Sequence, residues 1–157
     1  MKRLLYSLLA ALLITGCAGF SGGNGAAVDE VQLFGLPVTV NLDGIPGADG
    51  FAVRAYATKG GVAKGAAIDS GILEILMFDG VIRTDDLMAS QPTQTWKFGP
   101  KQLAQFKEKT SLGIGYRFAL RWQQPPTRGH ITVVARYVSP KGRQVYSSPS
   151  TISASNK

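Results

Sequence analysis

The residue with the most distinctive chemistry in this 157-residue chain is Cys17, its only cysteine. A single thiol cannot form a disulfide within the chain, so the fold must rest on its hydrophobic core. Cys17 ends a segment in which Lys2 and Arg3 precede an apolar run over residues 4–14. A helix that spans a bilayer needs about 20 apolar residues, so this shorter run instead matches the apolar region of a signal peptide.

The four residues that end this segment, residues 14–17 (ITGC), match the lipobox of bacterial lipoproteins at every position. The amino terminus therefore resembles a lipoprotein signal, and the resemblance covers residues 1–18. It implies that residues 1–16 are removed, that Cys17 receives a diacylglyceryl group, and that acyl chains such as palmitate anchor the protein. Two or three such chains hold a protein at a membrane far more firmly than one. An ordinary secretory signal with an incidental cysteine is the alternative.

The same resemblance predicts an address in the bacterial cell envelope. Gram-negative lipoproteins retained in the inner membrane commonly carry aspartate after the lipidated cysteine, so Ala18 favours the outer membrane if the organism has one. Residues 17–29 are expected to form the lipidated cysteine and a flexible, Gly/Ala-rich tether with a reach of about 20 Å. Residues 30–157 are long enough for a single domain with its own core.

The net charge of the chain is moderately positive, at +7. Removal of Lys2 and Arg3 leaves fifteen basic against ten acidic side chains, or +5. Such an excess favours anionic partners such as lipid headgroups, lipopolysaccharide or other acidic envelope polymers, and a solvated surface without a particular partner is the alternative. The chain lacks a dense basic run with interleaved aromatic residues, which argues against nucleic acid as a partner.

Alternation of apolar and polar residues predicts β-strands over most of the domain. In residues 116–123 the large apolar side chains fall on one side, so Tyr116, Phe118, Leu120 and Trp122 are expected to face inward. Further strands are predicted at residues 38–42, 51–58, 71–78, 81–82, 96–98, 131–137, 145–148 and 151–153. Residues 71–78 are apolar on both faces apart from Glu74, which indicates a central strand.

One segment has a helical pattern, because Pro100 suits the first turn of a helix and apolar residues follow on one side over residues 101–107. The whole pattern predicts a mainly β fold. An immunoglobulin-like or fibronectin-like antiparallel β-sandwich of about seven or eight strands with one short helix is the first choice. A small barrel and a C2-like sandwich fit the same pattern, and no named domain family is recognised.

The residues that usually carry catalysis do not form a known motif. His130 is the only histidine and is expected at a strand edge or in a loop. A zinc site needs clustered His and Cys ligands, which the chain lacks. Residues 59–65 (KGGVAKG) lack the GxxxxGK[ST] pattern of a phosphate-binding loop and are expected to form a mobile loop tip. The sequence therefore predicts no catalytic residue, no metal site and no cofactor.

Acidic residues are the one group that could form a calcium site or a carboxylate-based catalytic site. Five aspartates flank predicted strands and could meet in one cleft: Asp43, Asp49, Asp79, Asp85 and Asp86. Calcium needs several oxygen ligands, and no spaced calcium-loop motif is present. A glycosidase-type site needs two carboxylates in one cleft. A cleft that also included His130 would favour an envelope hydrolase, whereas scattered positions would favour a binding protein.

Arginines give a candidate binding surface. Arg117 and Arg121 share the polar face of one predicted strand. If residues 131–137 form its antiparallel neighbour, Arg136 lies on the same face, and the three side chains make a basic stripe for an anionic ligand. Solvated arginines on an outer sheet face are the plainer interpretation.

Three functions follow from these observations. The first is a non-enzymatic, membrane-anchored envelope lipoprotein with a binding or structural β-sandwich. The second is an accessory lipoprotein subunit of a secretion, transport or envelope-assembly machine, which pairs with a protein partner through an exposed strand edge. The third is an envelope hydrolase that acts through carboxylates.

Overall fold

The computed structural model describes residues 27–154, so the lipobox and Cys17 lie outside the described residues. Within this range the chain forms nine strands, one α-helix and two short 3₁₀ turns. The elements in chain order are β1 (Val28–Gly35), β2 (Gly50–Lys59), β3 (Ile72–Asp79), a 3₁₀ turn (Thr84–Asp86), β4 (Gln94–Phe98), α1 (Pro100–Leu103), a 3₁₀ turn (Ala104–Phe106), β5 (Lys107–Thr110), β6 (Gly113–Arg121), β7 (His130–Val138), β8 (Gln144–Tyr146) and β9 (Ser150–Ser153).

The strands form two antiparallel sheets that pack as a sandwich. The first sheet has the order β1-β2-β6-β5, and the second has the order β4-β3-β7-β8, with β9 also paired to β7. These orders correspond to the A-B-E-D and C′-C-F-G sheets of an immunoglobulin-type sandwich, with β8 and β9 together in the place of the last strand. The structure therefore confirms the predicted fold class.

The last strand is divided into β8 and β9, which both pair with β7. Between them the regular pairing with β7 is interrupted. Ser147 still pairs with Ala135: its N–H donates to the Ala135 carbonyl at 2.8 Å, and its hydroxyl accepts the Ala135 N–H at 3.0 Å. Pro149 then removes a backbone donor. The two pieces match the separate strands predicted at residues 145–148 and 151–153.

The inner faces of the two sheets enclose the main core. The predicted inward row of β6 is confirmed, since Tyr116, Phe118, Leu120 and Trp122 are all buried. Phe118 packs against the rings of Phe98 and Phe106 at centroid distances of 4.7 and 4.8 Å. The predicted helix is also confirmed, because α1 and the 3₁₀ turn after it carry Leu103 and Phe106 onto this core.

A second, smaller core covers the outer face of the β3–β7 pair. Its buried members are Leu76, Phe78, Leu87 and Val134. This cluster explains why β3 and β7 are apolar on both faces, and it confirms β3 as a central strand. Residues 81–82 do not form the predicted strand. The Ile82 N–H donates to the Thr132 hydroxyl at 2.9 Å, which holds this segment against the sheet.

Strand β1 begins earlier than the domain boundary expected at residue 30, because Val28 already pairs with Lys59 and is only 3% exposed. A bulge between Val28 and Glu30 shifts the register, so Val28 and Val31 both face inward. That bulge breaks the period-two alternation and hides the strand in the sequence. Residues 38–42 were expected to be a strand, but they make only isolated bridges to Ser153 and Gly50.

Candidate functional site

The chain enters the described fold at one end of the sandwich, called the entry end here. Strand β1 starts there at Val28, beside the last residue of β2. Ala27 and Val28 line a cavity of about 530 Å³ together with residues from the end of β2, the segment before β3, the end of β7 and the turn after it. The basic side chains of this cavity are Lys59, Lys141 and Arg143. The point at which the sequence leads back toward Cys17 is therefore lined by three cations and one carboxylate, that of Asp69.

The turn between β7 and β8 places two of these cations. The Gly142 N–H donates to the Ser139 carbonyl at 2.9 Å, and Gly142 has a φ of 84°. This is the hairpin in which a type I turn is followed by a left-handed residue, and glycine adopts that conformation without strain. Lys141 and Arg143 flank the glycine and are exposed.

The cations of the entry end differ in their partners. Lys59 pairs with Asp69 at 3.0 Å, and its side chain is only 17% exposed. Lys64, Lys141 and Arg143 form no ion pair with any carboxylate of residues 27–154. Their charges are therefore directed at solvent or at a partner.

The three arginines predicted to form one basic stripe do not share a face, and that prediction is wrong. Arg117 and Arg121 lie on β6 in the first sheet, whereas Arg136 lies on β7 in the second sheet. Strands β6 and β7 follow one another in sequence but cross from one sheet to the other. The stripe required them to be hydrogen-bonded neighbours.

Each of these arginines is also neutralised. Arg117 pairs with Glu108 at 2.6 Å, and Arg121 pairs with Asp49 at 2.9 Å and with Asp43. The Arg136 Nε donates to Glu74 at 2.5 Å, and its Nη1 donates to the Tyr146 hydroxyl at 3.2 Å. Burial opposes the charge on Arg136, but the hydrogen bonds to Tyr146 and Glu74 outweigh burial and raise its pKa.

The aspartates considered for a cleft are engaged at separate places. Asp43 and Asp49 meet at Arg121, while Asp79 accepts the backbone N–H groups of Thr127 and Arg128, both at 3.0 Å. Burial raises the pKa of Asp79, but the hydrogen bonds from Thr127 and Arg128 together outweigh burial, so the net shift is downward. Asp79 thereby fastens the loop between β6 and β7.

Of the remaining candidates, His130 lies beside this loop, since its carbonyl accepts the Gly80 N–H at 2.8 Å. Asp85 and Asp86 form an exposed 3₁₀ turn, and His130 is exposed at the start of β7 opposite Ser153. In the part of the chain that the structure describes, no group of three or more His, Cys, Asp or Glu side chains is arranged to hold a metal ion. The structure thus does not gather the aspartates and His130 in one cleft.

One buried hydroxyl is structural. The Tyr116 hydroxyl accepts the Ile68 N–H at 2.7 Å. Burial raises the pKa of Tyr116, the bond from Ile68 lowers it, and the Asp69 carboxylate raises it again, with a net upward shift. This contact fixes the chain between β2 and β3, which leads into the entry end.

The cations of the entry end were not predicted as a site. The pattern of residues 59–65 predicts only a loop tip, and no pattern in the sequence marks Lys141 or Arg143 as a binding residue. The signal that identifies them is topological: β2 and β7 end, and β1 and β8 begin, at the same end of the sandwich. That arrangement follows from strand pairing and not from any local pattern.

No helix among residues 27–154 is long and apolar enough to cross a membrane. Comparison with known proteins adds no relative, because no protein family, curated protein or solved structure matches the chain.

Proposed function

We propose that the protein is a lipid-anchored lipoprotein of the bacterial envelope whose β-sandwich acts by binding and not by catalysis. The observation that carries this proposal is the lipobox at residues 14–17, with only ten residues between Cys17 and the first strand of a folded domain. Acylation of Cys17 would hold that domain at a membrane surface. The outer membrane is the favoured location in a Gram-negative organism, because Ala18 follows the cysteine.

The non-enzymatic part of the proposal rests on how the carboxylates are used. Glu74 is neutralised by Arg136 and Lys97, and Glu108 is neutralised by Arg54 and Arg117. A general acid or nucleophile needs a carboxylate that is available to a substrate. Glu74 and Glu108 instead connect strands, and Asp43, Asp49 and Asp79 hold loops in place, so these carboxylates support the sandwich.

The test is fractionation of cells that produce the full chain or its Cys17→Ser variant in the presence of labelled palmitate. We expect the wild-type chain to carry the label and to sediment with membranes, and the variant to lose both properties. Thr15→Ser is the matched control, because serine also satisfies the lipobox. A Cys17→Ser variant that keeps its acyl label and its membrane location would refute the proposal.

A second candidate function is that of an accessory subunit that binds a protein partner by strand addition. Strand β4 favours it, because within residues 27–154 β4 has a strand partner on one side only. The open side of an edge strand presents backbone groups that a partner strand can pair with. A photo-crosslinker at Lys97 on β4 should give one discrete product, whereas the same group at Arg83 should give none. Equal products at both positions would contradict strand addition at β4.

A further inference from the structure

Charge is distributed unequally between the two ends of the sandwich. The entry end carries six cations, namely Lys59, Lys64, Lys101, Lys109, Lys141 and Arg143. It carries three carboxylates, namely Asp29, Glu30 and Asp69. The opposite end carries Arg83, Arg121 and Arg128 against Asp43, Asp49, Asp79, Asp85 and Asp86. The net charge is therefore +3 at the entry end and −2 at the far end.

Two exposed apolar residues lie among these cations. Val62 is 58% exposed and Leu112 is 55% exposed, each at the tip of a turn. The two turns are tied together, because the Gly65 N–H donates to the Leu112 carbonyl and the Ile114 N–H donates to the Gly65 carbonyl, both at 2.8 Å. Val62 and Leu112 are thus held on neighbouring turns of the basic end.

Glycine is required for this tie. A Cβ on Gly65 would lie 2.3 Å from the Ile114 carbonyl oxygen, and Gly113 has a φ of 101°. No other residue fits the first position without displacing the backbone, and few adopt the second. The close approach of the two turns is therefore built into the chain.

We propose that the entry end docks onto the anionic lipid headgroups of the membrane that holds Cys17. This inference rests on the proposed function, since lipidation brings the domain to that surface. The ten residues between Cys17 and Val28 can extend to at most about 40 Å. They attach the anchor to the entry end, but this reach exceeds the length of the sandwich, so the charge of the two ends must set the orientation. The pairing of exposed apolar side chains with surrounding cations is typical of proteins that lie at a membrane surface.

The charge asymmetry favours the orientation in which the basic entry end, and not the acidic far end, faces the membrane. Strand β2 has ten residues and is about 33 Å long, so the acidic far end stays several Debye lengths from the surface when the basic end is docked. Each Lys or Arg near an anionic membrane changes the ratio of docked to free domain by about fivefold. Five of the six cations are free to act, because they have no carboxylate partner among residues 27–154: Lys64, Lys101, Lys109, Lys141 and Arg143.

The test is residue-resolved amine labelling of the full chain, extracted from membranes and reconstituted into vesicles. The vesicles contain phosphatidylcholine alone or a mixture with phosphatidylglycerol. Lys64 and Lys141 report on the entry end, and Lys97 on the outer face of the second sheet is the internal reference. We expect the labelling of Lys64 and Lys141 relative to Lys97 to fall several-fold on anionic vesicles only, and to recover in high salt. Equal ratios on the two kinds of vesicle would overturn the proposal.

Matched variants separate docking from a general effect of charge. Arg143→Gln should weaken the protection of Lys64 by about fivefold, whereas Arg83→Gln at the far end should leave it unchanged. Both residues are exposed, so neither change removes a buried contact. Equal effects of the two substitutions would contradict docking through the entry end.

The experiment distinguishes a lack of lipidation at Cys17 from a lack of docking by the entry end. Chain that stays in the supernatant and carries no acyl group counts against the proposed function and not against docking. Its Cys17 thiol can then be coupled to a maleimide lipid, since the chain has no other cysteine. The same labelling ratio on the coupled protein decides the docking proposal.

Discussion

Glu74 and Arg136 lie opposite each other on β3 and β7, and the Arg136 Nε donates to Glu74 Oε2 at 2.5 Å. The Glu74 side chain is only 4% exposed, and Lys97 on the other neighbouring strand also reaches it, at 3.2 Å. One carboxylate thus connects the three strands β4, β3 and β7. A buried charge is tolerated at this position because it is paired on both sides.

We expect Arg136→Ala to destabilise the domain by about 2–4 kcal/mol, because it leaves a buried carboxylate with only a solvent-exposed partner. The Arg136 side chain keeps 25% exposure, so the loss should fall below that of a fully buried pair. Lys97→Ala is the matched control, since its side chain is 64% exposed, and it should change the free energy of unfolding by about 1 kcal/mol or less. Urea midpoints measure both. A larger loss for Lys97→Ala would contradict this assignment.

The inward row of β6 predicts a contrast between adjacent residues. Trp122 is 8% exposed and belongs to the main core, whereas the Arg121 side chain is 59% exposed. Trp122→Ala should cost about 3–5 kcal/mol, because it removes a large buried side chain and leaves a cavity. Arg121→Ala removes surface ion pairs with Asp43 and Asp49 and should cost about 1 kcal/mol. Should unfolding measurements rank the two variants in the opposite order, Trp122 is not a core residue.

Strands β6 and β7 show how far the sequence predicts the fold. Alternation identifies β6 and β7 because each has a row of apolar residues on its inner face. It does not identify β1, whose bulge disrupts the alternation, or β5, whose residues (KEKT) include no apolar side chain.

Strand pairing is the part that the local pattern cannot predict. Alternation shows which face of a strand a residue occupies, but not which strand lies beside it. The basic stripe of Arg117, Arg121 and Arg136 depends on β6 and β7 being neighbours, and the two strands belong to different sheets. For the same reason the cluster of Lys59, Lys141 and Arg143 emerges only when the strand ends are known to coincide.

The hydrogen bonds that Asp79 accepts from the loop between β6 and β7 predict that the stability of the domain depends on pH. The pKa of Asp79 lies below the usual value of 3.8 in the folded protein, so its contribution to stability is present above the unfolded pKa and is lost as the pH falls through the folded pKa. Asp79→Asn should therefore lower the urea midpoint at pH 7, and the difference from wild type should shrink when the pH falls below about 4. A difference that stays constant from pH 7 to pH 3 would show that the Asp79 charge contributes nothing.

The hydrogen bonds that join Gly65 to the turn at Leu112 predict that one added methyl group lowers the stability of the entry end. Gly65→Ala places a Cβ within 2.3 Å of a backbone oxygen, so we expect a clear fall in the melting temperature and loss of the protection of Lys64 on anionic vesicles. Gly129→Ala is the control, because its Cβ would meet nothing within 4 Å. Equal melting temperatures for the two variants would show that the turns separate without cost.

The central claim, that the chain is anchored through lipidated Cys17, is tested most directly by mass spectrometry of the amino-terminal peptide of the protein recovered from membranes. The account predicts that this peptide begins at Cys17 and carries the added mass of a diacylglyceryl group. It also predicts that no peptide from residues 1–16 remains attached to the mature protein. An amino terminus at another residue, or an unmodified Cys17 in the membrane-bound protein, would contradict the account.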